Sequence, residues 1–214
     1  FPYTTLFRSL RLQAASRTDA GVHAKGQVVN FLTSSSFPLD KLHHALNCLL
    51  PKDISVLSLE EKGTEFHPTL EARKKEYCYL ITPYEVQSPF EKNFSWHYPY
   101  PLNIPLMKKG ALHLLGTHDF SSFSNEKAED SVRTIFSIEI SSLPTTIQIS
   151  ITGNRFLYKM VRNLVGTLVY IGCGKIDEKM VPTILASRDR TKAGVTAPAH
   201  GLFLNKVYYD AESE

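Results

Sequence analysis

The 214-residue chain has no apolar run long enough to cross a membrane. A spanning helix needs about 18 to 20 apolar residues, and the longest candidate, residues 157–171, is interrupted by Lys159, Arg162 and Asn163. It reads as a core helix. Cysteine is scarce: Cys48, Cys78 and Cys173 are odd in number and far apart, which excludes a disulfide framework and any Cys-x-x-Cys metal site. All three read as reduced packing residues. No charged segment followed by an apolar one opens the chain, so nothing argues for secretion and the expected compartment is the cytoplasm. Internal repeats, low-complexity tracts and Gly/Ser linkers are also missing, which points to one compact unit with two lobes. Nor is there an excess of one charge. The balance of 24 Lys and Arg against 21 Asp and Glu leaves +3, too mild to prove nucleic-acid binding but compatible with a basic cleft. Basic residues cluster at Arg73-Lys74-Lys75 and recur at Arg155, Lys159 and Arg162.

What is present is ordinary globular material: 43% hydrophobic and 21% charged residues, in a chain long enough to bury roughly 70% of its unfolded surface. Residues 28–31 and 54–59 read as strands. Between them Leu39, Leu42, Leu46 and Leu49 recur at helical spacing until Pro51. Residues 77–81 form a further strand whose two tyrosines share a face. Residues 83–103 hold four prolines among Phe90, Phe94, Trp96, Tyr98 and Tyr100 and read as an aromatic-rich connection between lobes 10–82 and 104–214. The second lobe predicts a helix over 104–115, strands over 134–141 and 147–152, a long helix from about Phe156, a short helix over 181–187 and a last strand over 202–209. Short turns between strands favour an α+β fold with a mainly antiparallel sheet. Gly172-Cys173-Gly174-Lys175 lacks the phosphate-loop spacing and follows a helix, so it reads as a C-cap and implies no nucleotide cofactor.

The densest chemistry lies in Ser16-Arg17-Thr18-Asp19-Ala20-Gly21-Val22-His23-Ala24, a polar loop running into the short apolar stretch Val28-Val29-Asn30-Phe31. Taken alone, Asp before Ala-Gly is a turn or cap residue. Arg17 alone is a solvated loop cation, and His23 is a hydrogen-bond donor to the site or a turn residue. Tyr77, in Lys75-Glu76-Tyr77-Cys78-Tyr79, is equally a packing residue. Arg162 sits at the boundary between the apolar and polar faces of its helix, where a solvated arginine is common. No second paired carboxylate or metal-ligand cluster accompanies Asp19, which leaves an Asp-dependent hydrolase without support.

As a whole string, the run around Asp19 resembles the signature of the TruA-type tRNA pseudouridine synthases. The segment Arg155-Phe156-Leu157-Tyr158-Lys159-Met160-Val161-Arg162-Asn163 resembles a further motif of that family, and Lys75-x-Tyr77-x-Tyr79 another. Weaker strings keep the same order: Leu50-Pro51-x-Asp53-Ile54, Gly116-x-His118-Asp119-Phe120, Arg133-Thr134-Ile135 and Gly201-Leu202-x-Leu204. The resemblance implies a pseudouridine synthase fold of two ferredoxin-like lobes flanked by helices around a central cleft. It implies isomerisation of uridine to pseudouridine at positions 38, 39 and 40 of the tRNA anticodon arm by a homodimer, without cofactor or metal. Asp19 would be the catalytic carboxylate, Arg162 its ion-pair partner, Tyr77 the platform for the target base, Arg17 the side chain that replaces that base in the stem, and Arg73, Lys74 and Lys75 contacts to RNA. Two departures stand out. Phe66-His67-Pro68-Thr69 replaces a Phe-His-Ala-Arg string. The family also carries a first strand, a Gly-Trp-Gln-like loop and a helix before the catalytic run; residues 1–9 resemble none of it, so the chain reads as a fragment or as starting with foreign sequence. The alternative activity is then a silent RNA-binding or assembly fragment of the same fold.

Overall fold

A computed structural model describes residues 11–209; residues 1–9, which the sequence leaves unassigned, lie outside them. In chain order the strands are β1 (Gln13–Ala14), β2 (His23–Ala24), β3 (Val29–Asn30), β4 (Lys74–Thr82), β5 (Trp96–His97), β6 (Gly116–Asp119), β7 (Val132–Ser142), β8 (Ile147–Gly153) and β9 (Leu202–Tyr208). The helices are α1 (Leu39–Leu49), α2 (Ile104–Leu112), α3 (Met160–Gly172) and α4 (Val181–Ser187).

β1 and β3 pair by themselves, while the main sheet has the order β2-β9-β4-β8-β7-β6, with β5 added beside β4. Among the described residues only the two-residue strands β2 and β5 run parallel to their neighbours; every other pairing is antiparallel. The expected mainly antiparallel α+β architecture is therefore present. β4 lies at the centre because Tyr79 and Ile81 on one of its faces carry no solvent exposure and Cys78 on the other is almost as covered, which is the burial expected of a strand packed on both sides.

The core is this sheet closed by α3. Met160, Leu164, Leu168 and Val169 are fully buried and pack with Ile149 and Ile151 of β8 and with Met107 of α2. The stripe read from the sequence is thus the inward face of α3. Gly172 permits the close passage of α2, since a Cβ there would meet the Met107 side chain at 2.8 Å.

Several features differ from their sequence reading. Residues 54–59 form no strand: Ile54 and Leu57 are exposed, and Val56 is held through its backbone by the Asn47 side chain of α1 instead of a neighbouring strand. The long helix begins at Met160 and not near Phe156, because Lys159 takes a left-handed conformation (φ 58°) that no α-helix continues through. Cys48, read as a packing residue, is exposed on α1, none of whose residues is buried among the described chain.

Candidate active site

The loop bearing Asp19 is fixed at both ends before its carboxylate is placed. At the entry, the Ala15 N–H donates to the Val28 carbonyl (2.8 Å), and the Gln27 amide pairs with both backbone groups of Ser16 (3.2 and 2.7 Å). The turn itself closes when the Val22 N–H donates to the Asp19 carbonyl at 3.0 Å, with Gly21 at φ 82° supplying the positive angle that its third position needs. Ala20-Gly21 is therefore turn chemistry, and it leaves the Asp19 side chain free for something else.

That side chain meets Arg162. One Asp19 carboxylate oxygen accepts from the Arg162 guanidinium at 2.5 Å, with side chains 21% and 14% exposed. Arg162 is pinned on its other side, where its Nε donates to the Ala197 carbonyl at 2.7 Å while the Ala197 N–H donates back to the Arg162 carbonyl at 3.1 Å. The segment carrying Ala197 lies hard against α3, and a Cβ on Gly166 would sit 1.7 Å from the Val195 carbonyl oxygen. Beneath it, fully buried Asn163 accepts from Arg190 (2.8 Å) and Thr196 (2.7 Å) and donates to the Phe123 carbonyl (2.7 Å). Neither this polar network nor Ala197 was foreseen from sequence; the Arg162-Asn163 dipeptide was the only signal, since a polar pair there interrupts an apolar stripe.

Asp19 and Arg162 line a cavity of about 810 Å³ together with Arg17, Lys75, Tyr77 and Phe156. Tyr77 is 6% exposed, shares a 2.8 Å hydrogen bond with the Ser16 hydroxyl, and meets Phe156 edge-to-face at 5.1 Å. Burial, and then the negative charge of Asp19, push its phenol above the ordinary tyrosine range, so it stays protonated. Arg17 is exposed at the same cavity and has no protein partner among the described residues. Tyr79, one alternation further along β4, donates to the Pro198 carbonyl at 2.8 Å and so supports the segment behind Arg162. His23 is used elsewhere. Its ring stacks on Phe203 at 4.9 Å, and its Nε2 lies 2.8 Å from the Asn93 carbonyl, tying the loop to the segment before β5.

The basic run divides. Arg73 donates to the Tyr209 carbonyl at 3.2 Å, and Lys74 lies over the Tyr208 ring at 4.5 Å, whereas Lys75 turns inward, 7% exposed, to donate to the Ala15 carbonyl at 2.7 Å. Strand alternation makes this unavoidable: Lys75, Tyr77 and Tyr79 share the cavity face, and Lys74 points away.

A family model described as tRNA pseudouridine synthase matches residues 3–69 and 111–210. A tRNA pseudouridine synthase A 2 of Protochlamydia amoebophila is 51% identical over 95% of this chain and 80% of its own length. The tRNA pseudouridine synthase A of Thermoanaerobacter sp. is 48% identical over 94% of the chain and 83% of its own. That of Bacillus subtilis is 45% identical over 92% and 81% respectively. With a match of this extent, and with the family's aspartate and arginine strings meeting in one cleft, the chain belongs to the tRNA pseudouridine synthase family.

Proposed function

We propose that this chain isomerises uridine to pseudouridine at positions 38, 39 and 40 of the tRNA anticodon arm, in the cytoplasm and as a homodimer, with Asp19 as the catalytic carboxylate. The observation that carries this reading is the Asp19–Arg162 pair, 2.5 Å apart in the wall of a cleft that Arg17 and Tyr77 also line.

The reaction breaks the bond from ribose C1′ to uracil N1, turns the base and joins C1′ to C5; C5 gives up its proton and N1 takes one up, so the product is an isomer of the substrate. Nothing is oxidised and no group is imported, so side chains suffice. An ionised carboxylate beside the ribose acts as nucleophile at the sugar or as base upon it. Arg162 serves either route by holding one oxygen of the carboxylate with a charge-assisted hydrogen bond. The hydrogen bond from its Nε to the Ala197 carbonyl favours this orientation of the guanidinium.

The target base has to leave the stack, at a cost of a few kcal/mol. Arg17, exposed and without a protein partner among the described residues, is placed to fill the vacated space. The Tyr77 ring, braced by Phe156 and Ser16, gives the extruded uracil a flat surface in the cleft. Arg73 and Lys74 supply sequence-independent contact to phosphates outside it.

Incubation of the purified protein with an unmodified tRNA transcript, followed by pseudouridine mapping, tests the proposal. Product confined to positions 38 to 40 is expected. Product elsewhere overturns the site assignment, and a bound but unmodified tRNA overturns the activity in favour of a catalytically silent RNA-binding protein of the same fold.

A further inference from the structure

Lys75 is an unusual group to find in the wall of this cleft. It is a cation, 7% exposed, on the central strand, and the only protein group its ammonium meets among the described residues is the neutral carbonyl of Ala15 at 2.7 Å. An ammonium carries three donors. A buried charge without a counter-charge is costly and persists where something else compensates it. No carboxylate among the described residues lies within ion-pair distance of it, yet it lines the same cavity as Asp19 and Tyr77.

A second cation is brought to the same end. In the β4–β8 ladder Lys75 stands opposite Gly153, and two residues on, the chain reaches Arg155, whose backbone N–H is held by the Asn154 side chain at 2.6 Å. The next residue, Phe156, is already on the cavity wall against Tyr77. Burial, and then the positive charge of Arg155, make Lys75 easier to deprotonate than an ordinary lysine. Arg155 is exposed and lies outside the cavity lining, so its charge adds to that of the buried Lys75 from the rim, and together they favour an anion at this end of the cleft.

The strand sets which anion. Side chains two residues apart on one strand face lie about 7 Å from each other. That separation leaves Lys75 within reach of a phosphate of the nucleotide whose uracil lies on Tyr77. We propose that Lys75 and Arg155 seat the phosphate on the 5′ side of the target uridine, and that this contact forms only after the nucleotide has left the stack. The proposal rests on the function assigned above. It separates Lys75 from Arg73 and Lys74, which face outward and meet RNA before any base is flipped.

The test neutralises either partner. Single-turnover rates are measured for the wild-type protein on tRNA carrying a methylphosphonate at the 5′ linkage of the target uridine, with the same substitution at its 3′ linkage as control. Lys75→Gln keeps a donor for the Ala15 carbonyl, so the loop stays tethered while the charge is lost, and Lys75→Arg keeps the charge. Loss of one charged hydrogen bond predicts a rate about 10- to 100-fold lower for wild type on the 5′-neutralised RNA, with tRNA affinity little changed. The 3′ control should be near normal. Lys75→Gln should be slowed by a similar factor on natural RNA and barely further by the 5′ methylphosphonate, and Lys75→Arg should remain sensitive to it. Wild type indifferent to the 5′ methylphosphonate overturns the proposal, whether or not the variants fold. Effects of Lys75→Gln and the methylphosphonate that simply multiply also overturn it, because they would then be independent. Failure of wild type to modify natural tRNA would instead strike the assigned function.

Discussion

Asp19 has two tasks and divides them between two groups of atoms. Its backbone carbonyl closes the turn at Val22, and its carboxylate reaches Arg162, 143 residues further on. The main chain thus meets the turn reading of this residue, and the side chain makes the ion pair that the resemblance implies. Periodicity alone reads Arg162 as a boundary residue on a helical wheel, because it gives the angle around a helix and says nothing of a loop that folds over it; only the resemblance pairs it with Asp19. Removing its guanidinium strands a partly buried carboxylate. Arg162→Ala should cost about 2 to 4 kcal/mol, less than a fully buried pair because both side chains keep some solvent contact, and urea denaturation reads the loss. Tyr77 and Lys74 provide a contrast between neighbouring functions on one strand. Lys74→Gln should reduce the slope of log affinity against log salt by about one unit or less, as one phosphate contact is lost. Tyr77→Ala should leave that slope alone and lower the single-turnover rate, since its ring lies in the cleft and not on the surface.

At the scale of elements, α1, β4, β8, α4 and β9 stand within a few residues of where hydrophobic period and proline or glycine placed them. The misses have a common cause. Residues 54–59 alternate like a strand, but pairing is a non-local property, and the Asn47 side chain satisfies the Val56 backbone instead. Residues 156–159 carry the apolar period of α3, but Asn154 captures the N–H groups of Arg155 and Thr134, and the chain then passes through a left-handed Lys159 to line the cleft. β6 was missed because Gly-Thr-His-Asp has no strand pattern; its geometry depends on Asp119. Burial opposes the charge of that carboxylate, but hydrogen bonds from the Ser121 and Ser131 hydroxyls and the Ser121 N–H, with Arg188 at 2.8 Å, outweigh it and hold its proton affinity below the usual aspartate range. A carboxyl depressed in the folded state stabilises above its unfolded pKa of about 3.9 and loses that contribution as pH falls through the lower folded value. The stability gap between wild type and Asp119→Asn should accordingly be full at neutral pH and close below about pH 4, a trend that equilibrium denaturation across an acid series would show. A gap independent of pH would assign Asp119 a purely steric role.

For the whole molecule, the main sheet takes β2, β4 and β5 from the first half of the sequence and β6 to β9 from the second, so the cleft lies where the two halves meet. That is why the strings around Asp19, Tyr77 and Arg162 could be recognised singly while their distances could not be foreseen. A resemblance gives the order of motifs, and the central position of β4 gives their convergence. The same topology splits the Arg73-Lys74-Lys75 run between the outside and the cleft, which charge counting cannot do. The central claim is that this convergence makes Asp19 the group that performs the chemistry. The measurement that tests it most directly is pseudouridine formation under single-turnover conditions by wild type and by Asp19→Asn, each at a saturating concentration for the same unmodified tRNA. The amide fills the same space, so the account predicts tRNA affinity close to wild type and no detectable product. Product formed by Asp19→Asn at a rate near that of wild type would contradict it.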